Sequence, residues 1–348
     1  MCSMSLTEQL KAEIQAADLD VIGISSAEPF QVSGDREECI DPREIMPAAR
    51  AIIIAGFCTF YPPNLVQSQS VLPRGSFPPY GSRVFNPMTS YCQQVIKQLL
   101  AKKDFQAVTS MRIPVKLAAM RAGLGAYGKN SVILTGKYGS WIMFECLITD
   151  APLEHDDLPL QAAGCGGCDL CLKACPTGAI CAPYKVDKAK CITNWLWGAF
   201  APPALREKQE NRLFGCGECL KACPRNRTVN PHANYPTPLE KHNDNPELIP
   251  LVTAAKSYFR SVIPSFPLLA GSEAIRGNAI IALGNIGDPA GVEALSVTLR
   301  SPRSRHRSYS AWSLGKIGGD HARSKLLAAL AQEQETEVLS EIKAALNS

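Results

Sequence analysis

The sequence predicts an α+β chain in three parts: a mixed α+β unit, a cysteine-rich segment and an α-helical tail of HEAT-like repeats. Three observations carry that division. Short β-branched runs alternate with helical patterns across the first ~160 residues, within the ~100–200 residues usual for one domain. From residue 161 to about 230 the texture shifts to Gly, Cys and Pro without periodicity, a composition that builds no apolar core. Near the end, NAIIALGNIGDP (278–289) recurs as YSAWSLGKIGGD (309–320), a 31-residue offset that suits stacked helical pairs. The expected boundaries are 1–160, 161–235, a linker over 236–265, and the repeats over 266–348.

Taken in order, MCSMSLTEQLKAEIQAADLD reads as an amphipathic helix; it lacks the basic region and apolar run of a signal peptide. DVIGISS (20–26) and AIIIAGF (51–57) suit strands. Six prolines within 61–88 predict a long loop draped over a site. SYCQQVIKQLLAKK (90–103) suits a helix, and the apolar blocks SVILT (131–135) and SWIMFECLIT (140–149) flank the turn-like GKYG. A hydrophobic content of 46%, a charged content of 20% and a net charge of +4 describe an ordinary globular protein, so any nucleic-acid site must be local. No run approaches ~18 apolar residues, so the expectation is a cytoplasmic protein with no membrane partner.

Eight of the fourteen cysteines fall at ligand-like spacings. Cys2, Cys39, Cys58, Cys92, Cys146 and Cys181 are scattered and read as ordinary thiols. The first run is Cys165-x2-Cys168-x2-Cys171-x3-Cys175-Pro176; the second is Cys216-x2-Cys219-x3-Cys223-Pro224, with Cys191 between them. The first is the bacterial ferredoxin run, whose fourth cysteine serves the other cluster. By that crossing rule Cys165, Cys168, Cys171 and Cys223 hold one [4Fe–4S] cluster, and Cys175, Cys191, Cys216 and Cys219 the other. Two four-thiolate zinc sites would also use all eight, but zinc modules favour two separated CxxC knuckles over three cysteines in seven residues.

AGLGAYGKN (122–130) followed by YGSW (138–141), the run CGGCDLCLKACPTGAI…CITN…NRLFGCGECLKACPRN, and the helical tail together resemble the epoxyqueuosine reductase family. These are cobalamin-dependent proteins related to reductive dehalogenases. The resemblance covers most of the chain from about residue 108 and, loosely, the part before. It implies an N-terminal corrinoid-binding α+β domain, a double-cluster domain that feeds electrons to cobalamin, and reduction of the epoxycyclopentane of a modified tRNA base. It also implies Asn130, Ile133 and Phe144 as corrin contacts, and an electron-donor protein of flavodoxin or ferredoxin type.

One departure bears on the chemistry. The family's proton-donating aspartate, about fourteen residues before the first Gly of AGLG, falls on Thr109, or on Met111 when Pro114 is the anchor. Residues 105–144 contain no Asp or Glu at all, so the catalytic acid is unassigned. The Asp and His expected before the long helix are likewise absent from SRVFNPMTSYCQQ (82–94). In the tail, residues 300–325 hold seven Lys and Arg against Asp320, and Arg303, Arg305 and Arg307 form the candidate contact to tRNA phosphates. Two other readings stay open: a ferredoxin-type carrier that reduces another protein's cofactor, and a paralogue acting on a non-tRNA substrate.

Overall fold

The computed structural model describes residues 4–347 except 33–37, 64, 66–70, 79–84, 161–162, 232–241 and 265–270. Parts of the loop expected over 61–88 and of the linker expected over 236–265 therefore lie outside the described residues, as does Cys2.

The first unit contains α1 (Leu6–Gln15), β1 (Val21–Ser26), the antiparallel pair β2 (Phe30–Val32) and β3 (Glu38–Ile40), and β4 (Ala51–Cys58). It continues with α2 (Phe85–Ala101), β5 (Ala107–Val108), α3 (Val115–Arg121), the pair β6 (Ala126–Tyr127) and β7 (Ile133–Leu134), and β8 (Ile142–Thr149). A four-stranded antiparallel sheet runs in the order β1-β4-β8-β5. Every residue of β4 is buried, because the sheet is covered on both faces. Alternation sends Ile52 and Ile54 into the core shared with α3, and Ile53 and Phe57 into the core shared with α1 and α2. β4 pairs with β8 from Ala51↔Thr149 to Cys58↔Ile142, which fixes one end of the sheet at Thr59 and Ile142.

The cysteine-rich segment holds only short elements: α4 (Leu170–Lys173), the ribbon β9 (Ile180–Ala182) and β10 (Lys185–Val186), α5 (Ile192–Leu196) and α6 (Glu218–Lys221). Its apolar side chains are divided between its neighbours. Ile192, Trp195, Leu196, Leu213 and Phe214 join the core of the helical tail, while Val229 and Leu220 pack into the core beneath the sheet.

The tail comprises α7 (Leu248–Thr253), α8 (Lys256–Val262), α9 (Gly271–Ile286), α10 (Val292–Thr298), α11 (Ser304–Ile317), α12 (Gly319–Leu330) and α13 (Thr336–Leu346). The stretch expected as a linker thus carries two helices, held because Leu248, Leu251 and Val252 are fully buried. The repeat glycines have a steric cause. A Cβ on Gly284 of α9 would lie 2.7 Å from the Ser313 backbone of α11, and one on Gly315 of α11 would lie 2.9 Å from that of Ala345 in α13. Each marks the point where one helix of the array crosses the next.

Arg206 locks the tail to the cysteine-rich segment. It is completely buried, donates twice to Glu341 at 3.0 Å and once to Ala201 O, and lies against Tyr309, Trp312 and Phe200. Losing one partner of a buried pair strands the other charge, at a cost of about 3–5 kcal/mol, whereas an apolar replacement of both is far cheaper. Arg206→Met is therefore expected to lower the thermal midpoint markedly and Arg206→Met/Glu341→Leu to recover most of the loss; equal losses in the two variants would contradict this role.

Candidate metal centre

One cavity of about 550 Å³ opens where the end of the sheet meets the cysteine-rich segment. From the first unit come Thr59 after β4, the Asn130–Val132 turn, and Ser140, Ile142 and Met143 at the start of β8. Facing them are Cys175, Cys191, Cys216 and Cys219, with Ile180, Val186, Trp197 and Phe214 supplying apolar walls. Four thiols of the eight-cysteine pattern thus line a single space.

The remaining cysteines sit beside it. Burial pushes the Cys171 thiol up, and Cys165 and Cys168 are close enough to add to that rise. Burial likewise pushes Cys219 up to about 12, reinforced by Cys216, Cys191 and Cys171, while a hydrogen bond with Asn130 opposes it. Cys171 is thus close enough to Cys219 to influence its ionisation. At Cys175 burial works against ionisation, yet the amides of Ile180, Thr177 and Ala179 hold the thiol below its ordinary value. The Ala179 amide donates to its sulfur at 3.2 Å. Cys168 is exposed, and Lys129 donates to Gly166 O at 2.6 Å and Cys168 O at 3.0 Å, fixing that loop. Among the described residues no three ligand-type side chains converge on a single ion. A cube takes one thiolate per iron at separate corners, so thiols spread around a space suit it better than they suit tetrahedral zinc.

Asn226 docks this segment on the sheet. Its Oδ1 accepts from the Ser140 amide at 2.8 Å, and its Nδ2 donates to Ser140 Oγ at 2.7 Å and to Leu220 O at 2.8 Å. Gly139 has φ +52°, and a Cβ there would stand 2.1 Å from the Asn226 oxygen, so YGSW needs its glycine for this approach.

The other sequence-derived residues fall in different places. Asn130 is buried on the cavity wall, but Ile133 and Phe144 pack in the hydrophobic core and do not line it. The cavity lies beyond the strand ends, so of β8 only Ile142 and Met143 reach it. Thr109 is half-buried, and Met111 is 98% exposed on a turn. Glu218 reaches the cavity; burial opposes its ionisation, but Lys221 and Arg212 hold it below the usual carboxylate range. The tail arginines are largely occupied. Arg303 pairs with Glu273 at 3.0 Å, Arg307 with Glu333 at 2.6 Å and Glu335 at 3.2 Å, and Arg305 donates to the Gly198 carbonyl. Lys116 and Lys188, which the sequence reading passed over, lie on the cavity lining.

Comparison with known proteins accords with this geometry. Residues 164–226 match the 4Fe-4S double cluster binding domain and residues 267–347 match HEAT repeats. The epoxyqueuosine reductase of Bacillus cereus is 30% identical over 97% of both chains. The chain belongs to the epoxyqueuosine reductase family. It is thereby an iron–sulfur oxidoreductase, and the Bacillus subtilis epoxyqueuosine reductase is 28% identical over 97% of this chain and 94% of that one. A crystal structure of an epoxyqueuosine reductase with a modified tRNA-Tyr stem loop superimposes with a TM-score of 0.83 at 27% identity, covering 98% of each chain. In a structure of the Bacillus subtilis protein, at TM-score 0.82 and 27% identity over 97% of this chain and 98% of that one, the catalytic aspartate loop is swung out of the active site.

Asn226→Ala would strand the buried Ser140 amide, an unmet group costing about 1–3 kcal/mol. The variant is expected to lose iron faster than the parent under a chelator, followed by absorbance near ~400 nm. Iron loss at the parental rate would show that the hook is dispensable.

Proposed function

We propose that two [4Fe–4S] clusters in this chain pass single electrons to a cobalamin held in the cavity, for reduction of the epoxide of a modified tRNA base. The observation that carries this reading is the shared lining: Cys175, Cys191, Cys216 and Cys219 face the same space as Asn130, Ile142 and Met143. These four would hold the inner cluster, and Cys165, Cys168, Cys171 and Cys223 the outer one, as the crossing rule gives them. The bound corrinoid would supply the reducing cobalt chemistry, and the protein supplies position and a dry surround. Trp197, Phe214 and Ile142 supply apolar wall, while Asn130 steadies Cys219. The family's tRNA-bound structure supports the substrate class.

Electrons would enter from a small carrier protein on the exposed Cys168 side of the outer cluster, in the cytoplasm. No helix among the described residues is long and apolar enough to cross a membrane.

The carboxylate-free stretch 105–144 favours a second reading, a paralogue whose substrate needs no strong acid from that loop. Two measurements separate the possibilities. The iron-loaded protein is expected to bind cobalamin at micromolar concentration with a shift in the corrin absorbance; no shift would remove the cofactor and leave an electron carrier. Thr109→Asp is expected to raise turnover of epoxyqueuosine tRNA about 10²-fold, the smaller gain typical of a positioned acid. Unchanged turnover with normal cobalamin binding would favour the other substrate.

A further inference from the structure

We propose that Lys116 and Lys188 form a phosphate-binding subsite at the mouth of the redox cavity. This inference rests on the functional reading above and adds a ligand contact to it. The two lysines come from unrelated parts of the chain: Lys116 from α3 of the first unit, Lys188 from the turn after β10 in the cysteine-rich segment. Both line the same cavity, and both residues keep exposed surface.

Neither is paired with a carboxylate among the described residues. Among the described residues the nearby carboxylates are committed elsewhere, Asp187 to Lys190 at 3.4 Å and Glu218 to Arg212 and Lys221 at 3.1 and 2.9 Å. Lys116 donates to the Ser131 carbonyl at 2.8 Å, which fixes its ammonium at the rim and leaves donors for a ligand. Burial by the surrounding protein lowers the Lys116 pKa, and Lys188 lowers it further, so the two charges feel each other. Holding two like charges together without an anion is unfavourable, and an anion bridging them removes that cost.

The tail offers a contrast. Four of its cations, Arg303, Arg307, Lys316 and Lys325, are paired with carboxylates of the chain itself. Lysine binds phosphate as a point charge and needs no bidentate geometry, so two ammonium groups on one cavity lining suit a phosphodiester. A phosphodiester has two sources in the proposed reaction: the RNA backbone near the reacting base, and the nucleotide loop of the corrinoid.

The test uses the iron-loaded full chain and its Lys116→Gln/Lys188→Gln variant, with cluster absorbance checked first. Three ligands are titrated: a tRNA anticodon stem loop at several salt concentrations, cobalamin, and cobinamide, which lacks the nucleotide loop. An RNA source is supported by about tenfold weaker RNA binding and a shallower log K against log salt slope, by about 0.7–0.9 per lost phosphate contact, with cobalamin unchanged. A cofactor source is supported when cobalamin affinity falls toward that of cobinamide, with RNA unchanged. The subsite is overturned if the parent binds both ligands and the variant matches it on each. A parent that binds neither RNA nor cobalamin overturns the functional reading itself, a result distinct from the loss of the subsite.

Discussion

Sixty-odd residues carrying eight thiols must be held in register although they contain almost no core of their own. The rest of the architecture answers that constraint. A domain folds by burying apolar area, and a Gly-, Cys- and Pro-rich stretch has too little to offset its conformational entropy. Its few large apolar side chains are accordingly buried in other units, Trp195 and Leu213 in the helical tail and Val229 under the sheet. Polar hooks complete the attachment: Asn226 on Ser140, Asn278 donating to Leu196 O and Leu213 O at 2.9 Å, and Gln209 donating to Asn278 O. The thread of residues 73–77 adds backbone bonds to Asn211 on one side and to Asp244 and Pro246 on the other. Bound clusters would tie the segment internally, but these neighbours orient it against the sheet.

That orientation determines what the thiols can do. A cluster is a one-electron carrier, and its usefulness depends on what adjoins it. Cys175, Cys191, Cys216 and Cys219 face a cavity whose opposite wall is the end of the antiparallel sheet, so electrons delivered there meet whatever the α+β unit holds. Cys168, by contrast, is open to solvent. Four of the eight thiols thus face the cavity and Cys168 faces solvent, with Cys171 close enough to Cys219 to influence its ionisation. A free-standing carrier would have no need of the inward-facing wall.

Much of this was legible in the chain. β1, β4, β8 and α2 lie where β-branched and apolar runs and helical periodicity place them, and the repeat glycines mark true helix crossings. The cysteine spacing is legible because ligand runs are local. What escaped reading is non-local. YGSW shows its glycine but gives no sign that Asn226, 87 positions further on, requires it. The resemblance implies Ile133 and Phe144 as corrin contacts, yet both pack in the core, because a strand exposes only its end to a cavity beyond it. The helices over 248–262 were hidden by the prolines and asparagines before them, although Leu248, Leu251 and Val252 supply a buried face.

Charge shows the same limit most sharply. Along the chain, Arg303, Arg305 and Arg307 look like a phosphate-binding cluster, because their partners Glu273, Gly198 and Glu333 lie 26 or more residues away in sequence. Folding pairs Arg303 and Arg307 with carboxylates and turns Arg305 to the Gly198 carbonyl, and a paired cation attracts phosphate only weakly. Lys116 and Lys188 are unremarkable in sequence and 72 positions apart, yet they line the same cavity, and among the described residues neither is paired with a carboxylate. The count of basic residues in a window therefore says little about binding. What matters is which charges the fold leaves unneutralised at a cavity, and Lys116 and Lys188 are two such charges on one lining.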